Sequence, residues 1–156
     1  MKPKITVMRH VLPGTLLVLL AACDGKPDAA TLAQRAQELQ GRIIEIASQT
    51  NRAAPTAVDQ NTRLDGAQAA PGQLTISYTL VNAAVNGVDT TTFGTKIAPV
   101  VMQGSCGNTA LRWIIDQGAV VVLEYRDLNG GVLGAVTVNR RTCSTPGSAP
   151  AATGAG

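Results

Sequence analysis

Few side chains in this 156-residue chain could carry chemistry, and their spacing keeps most of them apart. Glu124 and Asp127 flank Arg126 and offer a carboxylate pair for general acid–base work. The surrounding run, Ala119 to Asp127, reads as a strand, and residues three apart in a strand point to opposite faces. The pair therefore reads as the solvated charges of a hairpin. The chain holds a single histidine, His10, within an apolar N-terminal segment. Cys106-Gly107-Asn108 has no second cysteine nearby and no histidine to lower the thiol pKa, so a nucleophilic or redox role for Cys106 has little support. Gly130-Gly131-Val132-Leu133-Gly134 is glycine-rich but lies between two strands, without the helix N-terminus that cradles a phosphate. No nucleophile–base pair and no set of metal ligands emerges, so the chain reads as a non-enzyme without cofactor or metal.

One cysteine stands in a different setting. Lys2, Lys4 and Arg9 precede the apolar stretches Val11-Leu12 and Leu16 to Leu20, and Ala21-Ala22 then lead into Cys23. This order of basic, apolar and small residues is that of an export signal. Leu20-Ala21-Ala22-Cys23 resembles the lipobox of bacterial lipoproteins. The resemblance implies cleavage after residue 22, diacylation of the Cys23 thiol and acylation of the freed amine. Pro13-Gly14 interrupts the apolar run, which falls short of the roughly 20 residues of a membrane-spanning helix. Asp24, directly after Cys23, resembles the residue that retains enterobacterial lipoproteins in the inner membrane, so a periplasm-facing inner-membrane position is slightly favoured.

Cleavage changes the charge argument. The chain has 13 basic and 10 acidic residues, and losing Lys2, Lys4 and Arg9 leaves the two balanced. No basic cluster remains as a footprint for nucleic acid. His10 leaves too, and with it any imidazole chemistry. Lys26 and Lys96 are the only lysines left, and Lys26 lies in the tether. Cys106 and Cys143 become an even pair in an oxidising compartment, where a disulfide closing a loop of about 38 residues is the default.

These residues need elements to position them. Residues 23–28 read as a polar tether. From Asp28 to Gln49, Leu32, Ala36, Leu39, Ile43 and Ile46 form one apolar stripe at helical spacing, with Asp28 or Thr31 as cap. Arg35, Glu38, Arg42 and Glu45 lie off the stripe. Such a helix either packs on its own sheet or serves as a partner-binding or coiled-coil helix, and barely two heptads favour the first. Residues 50–61 lack periodicity and read as a connection. Thr62 to Ala67 suggests a short strand, Pro71-Gly72 a turn, and Gln73 to Asn82 a strand alternating Leu74, Ile76, Tyr78 and Leu80. After the break at Asn86-Gly87, a helix from Asp89 or Thr90 runs towards Gln103, with Phe93, Ile97, Val100 and Val101 inward and Pro99 kinking or dividing it.

Asn108 caps a short helix over Thr109 to Gln117 that ends at Gly118. Trp113 lies on a different face of it from Leu111 and Ile115, as an interface anchor or packed beneath the first helix. A hairpin follows, Ala119–Asp127 with Val132–Asn139, joined by Asn129-Gly130 as a type I′ turn. Residues 144–156 form a small-residue, Pro/Gly-rich tail with the composition of a disordered segment.

The segment Thr62 to Asp65, the run Leu74 to Leu80, Cys106 before a short helix, Glu124 to Asp127 and the closing Val138 to Cys143 together resemble a family of small, functionally uncharacterised exported bacterial proteins, many of them lipidated. The resemblance spans residues 55–143. It implies an α+β domain with paired cysteines and supplies no active-site residues. The expected fold is thus a single α+β domain over residues 29–143. An N-terminal amphipathic helix and one or two short helices pack there on a small antiparallel sheet ending in a β-hairpin. By exclusion the expected role is a membrane-anchored, non-enzymatic interaction module of the envelope: an assembly partner, a pilotin-like chaperone of a secretion component, or an inhibitor or immunity protein. A domain binding a small ligand or lipid is the alternative, and it requires an apolar cavity between sheet and helices.

Overall fold

The computed structural model describes residues 27–83 and 87–144. The expected signal, Cys23, Asp24, Lys26, His10 and the tail from residue 145 lie outside the described residues. The first element is helix α1, Ala29–Ala53, opened by Asp28, whose carboxylate accepts the Thr31 N–H at 2.7 Å. It runs past Gln49, so part of the expected connection is helical. A cis Ala54–Pro55 peptide leads into the two-residue strand β1, Thr56–Ala57. Strands β2 (Thr62–Ala70) and β3 (Gln73–Leu80) form a hairpin around Pro71-Gly72. Then come α2 (Thr90–Gly107), α3 (Thr109–Asp116), β4 (Val120–Asp127), β5 (Val132–Val138) and a last short helix, α4 (Arg140–Ser144).

The five strands lie side by side in chain order, so the fold is α+β. All neighbours are antiparallel except the central pair, β3 and β4, which run parallel from Gln73↔Val120 to Leu80↔Asp127. A parallel pair needs a long crossover, and α2 with α3 supplies it. The expected purely antiparallel sheet is corrected at this one pairing.

Register turns the alternation of each strand into rows across the sheet. Ala67, Ile76, Leu123 and Val136 form one row, and Ala69, Leu74, Val121 and Val138 form another. Apart from Ala69 these side chains are buried, beneath Ile43, Ile46 and Ala47 of α1 and Ile114 and Ile115 of α3. The intervening row of Gln68, Thr75, Val122 and Thr137 faces the other way. With one tryptophan, two tyrosines and one phenylalanine in the chain, the core is aliphatic.

Several local expectations change. α2 passes through Pro99 without division; Pro99 and Thr95, whose carbonyl loses its partner there, are both exposed, so water can satisfy it. Val100 points outward and is 74% exposed. Of the residues that join β4 to β5 only Gly130 has positive φ, at 82°, so the turn is not type I′. Asp127 organises it instead, accepting the N–H groups of Asn129 at 2.9 Å and Gly131 at 2.6 Å. The apolar stripe of α1 is covered only in its C-terminal half. Leu32 is 52% exposed, and Ala36 is exposed as well. Gln40 marks where the body of the domain begins, its side-chain oxygen accepting the Gly72 N–H at 3.1 Å.

Candidate functional site: a groove between two helices

α3 owes its position to Asn108, whose side-chain oxygen accepts the N–H groups of Ala110 and Leu111, each at 3.0 Å. With the helix so started, Ile114 and Ile115 enter the core and Trp113 falls on the flank facing α1. There the half-buried indole packs on the edge of the core. It also lines an open groove of about 640 Å³ with Thr109, Ala110 and, from α1, Glu38, Arg42 and Glu45. The Trp113 ring is thus partly packed on the core and partly open to the groove.

The charges of the groove are arranged simply. Arg42 pairs with Glu45 at 2.5 Å, and Glu45 also accepts from Gln49 at 3.0 Å. Glu38 has no ion-pair partner among the described residues, so the α1 wall carries a net negative charge. All three side chains lie on exposed positions, where an ion pair contributes at most about 1 kcal/mol to stability. The groove therefore offers an aromatic floor with an acidic wall, which suits contact with a partner better than chemistry.

The other candidate residues do not converge on a reaction centre. Glu124 is paired with Arg126 at 2.7 Å, while Asp127 is 2% exposed and serves the hairpin turn. The expectation of solvated charges is corrected at Asp127, a buried structural carboxylate, whereas Glu124 stays partly exposed in its ion pair. Cys106 and Cys143 are joined in a disulfide, with Cα atoms 5.5 Å apart, which ties the end of α2 to α4. Among the described residues no group of three or more metal-ligating side chains occurs. No described helix is long and apolar enough to cross a membrane.

A second concavity went unread in the sequence. Between α2 and the sheet, Leu80, Phe93, Ile97, Val101 and Tyr125 line a cleft of about 310 Å³ with Lys96 at its rim. Tyr125 stacks on Tyr78 with ring centroids 5.2 Å apart and meets the edge of Phe93 at 5.7 Å. Burial, with smaller effects of Tyr78 and Asp59, pushes the Tyr125 phenol up to about 12, and burial raises Tyr78 as well. The alternation of β3 and β4 and the period of α2 mark these residues as inward. Nothing in the sequence says that they stop short of filling the space.

No protein-family model matches this chain, and no curated protein matches it in sequence. Three solved structures share its fold. The type II secretion system pilotin EpsS of Vibrio vulnificus superposes with a TM-score of 0.62 at 12% identity, over 72% of this chain and 98% of that one. A candidate secreted protein from Pseudomonas aeruginosa gives 0.60 at 14% identity, over 70% and 96%. The type II secretion system pilotin AspS of Vibrio cholerae gives 0.58 at 17%, over 72% and 98%. Over 70–72% of its length this chain therefore shares the fold of two pilotins and of a candidate secreted protein.

Proposed function

We propose that this chain is a bacterial envelope lipoprotein that acts as a pilotin-like interaction module for a component of a secretion machinery. The observation that carries the reading is the shared fold, which covers 98% of each of the two pilotins. The anchor is the diacylated Cys23, reached through the short tether, and the domain faces the periplasm, with Asp24 favouring the inner membrane. The partner docks on the α1–α3 groove, where Trp113 supplies the apolar anchor and Glu38 an unpaired charge. The protein catalyses no reaction and uses no cofactor.

The test is crosslinking of the full-length protein in its own cells, with mass spectrometry of the captured proteins and two variants, Cys23→Ser and Trp113→Ala. A secretion-machinery component captured by the native chain, lost with Cys23→Ser and reduced at least tenfold with Trp113→Ala, is the expected result. Capture of bulk lipoproteins alone, unchanged by Trp113→Ala, overturns it.

A further inference from the structure

The cleft between α2 and the sheet is separate from the groove at α3, and its lining has a different character. Leu80, Phe93, Ile97, Val101 and the ring of Tyr125 present carbon, Thr62 is the one uncharged polar side chain besides the Tyr125 phenol, and about 310 Å³ places the cleft at the small end of ligand sites. One charge stands at its rim. Lys96 is the only lysine among the described residues, and none of their carboxylates lies within ion-pair distance of it. One helical turn further on, Val100 also belongs to the lining and, 74% exposed, forms the apolar lip of the mouth. The walls bring no second charge, because burial keeps Tyr125 protonated far above neutrality. Asp59, which acts on Tyr125 from the loop before β2, lies outside the lining, and its carboxylate is occupied by the Asn61 N–H at 2.7 Å. A lone ammonium group beside a small, mostly apolar cleft complements one ligand chemistry, an anion with an unbranched apolar tail.

We propose that this cleft binds a medium-chain aliphatic carboxylate, its alkyl chain lying between α2 and the sheet and its carboxylate resting on Lys96. This site stands or falls independently of partner docking at Trp113.

The experiment is a titration of the full-length chain in phospholipid nanodiscs with hexanoate, octanoate, decanoate and 1-octanol, followed by methyl NMR. The Ile97 and Val101 methyl signals should shift. Affinity should rise about fourfold for each added methylene until the cleft is full, then level off. Octanol should bind more weakly than octanoate. Lys96→Met, an exposed position, should weaken octanoate about threefold and leave octanol unchanged. Val100→Glu, which sets a negative charge one turn from Lys96 without touching the core, should weaken octanoate further. Three results overturn the proposal. The first is an affinity independent of chain length. The second is an equal loss of octanol and octanoate in Lys96→Met. The third is signals at Ile97 and Val101 that ignore every added ligand, as they would if nanodisc phospholipid chains already filled the cleft.

Discussion

At the scale of single residues, the titrating group that the fold alters most visibly is a phenol. Tyr125 is pushed up to about 12 because its phenolate would lie between Tyr78 and the apolar residues of α2. In the unfolded chain the same group ionises near 10. Between those values the folded chain holds a proton that the unfolded chain has released, so stability falls as pH rises through this window. A tyrosine absorbance titration should show Tyr125 ionising last, together with loss of the fold. In Tyr125→Phe the alkaline loss of stability should be smaller. Asp89 works at the other end of the scale. Its carboxylate accepts from Thr91 and Thr92 at the start of α2, which holds it down to about 2. What it contributes is present above the ordinary carboxylate range and lost as pH falls towards 2.

At the scale of elements, two glycines decide how closely α2 can approach β5. A Cβ on Gly94 would sit 3.1 Å from the Ala135 carbonyl oxygen, and one on Gly134 would sit 3.2 Å from the Phe93 ring. Gly134→Ala should therefore push Phe93 off Tyr125 and cost about 1–3 kcal/mol of overpacking, measurable by urea denaturation. Much at this scale was legible in the residues. The Asp28 cap, the alternation of Leu74, Ile76 and Tyr78, and the Asn108 cap each announce their element through a local rule. The parallel pairing of β3 and β4 is not written in either strand. It follows from the long helical segment between them, since only such a crossover returns the chain to the same end of the sheet. The hairpin turn misled because Asn129-Gly130 suits a type I′ turn, yet the buried Asp127 carboxylate binds the loop N–H groups and settles a different geometry. The groove was legible only as the isolated Trp113. Its other wall belongs to α1, roughly 70 residues earlier in the chain, and no local pattern joins the two.

At the scale of the whole molecule, the disulfide links the crossover helices covalently to α4, the last described element. Cys106 and Cys143 are 37 residues apart, and all of β4, β5 and α3 lie in the loop they close. Replacing both with serine should lower the unfolding free energy by about 2–5 kcal/mol, read from a denaturant midpoint under oxidising conditions. The same variant should retain its five-strand sheet, because the aliphatic rows beneath α1 and α3 do not include either cysteine.

The uncovered beginning of α1 has a consequence for reach. From Ala29 to Gln37 the helix runs ahead of the body as a stiff rod of roughly 13 Å. If the chain is held at Cys23, that rod sets how far the Trp113 groove stands beyond the end of the tether and which way it looks relative to the first turn of α1. Seven residues added to the rod would lift the groove by about 10 Å and leave it facing nearly the same way. Five would lift it by about 7 Å and swing it some 140° about the helix axis, so height and bearing cannot be changed independently.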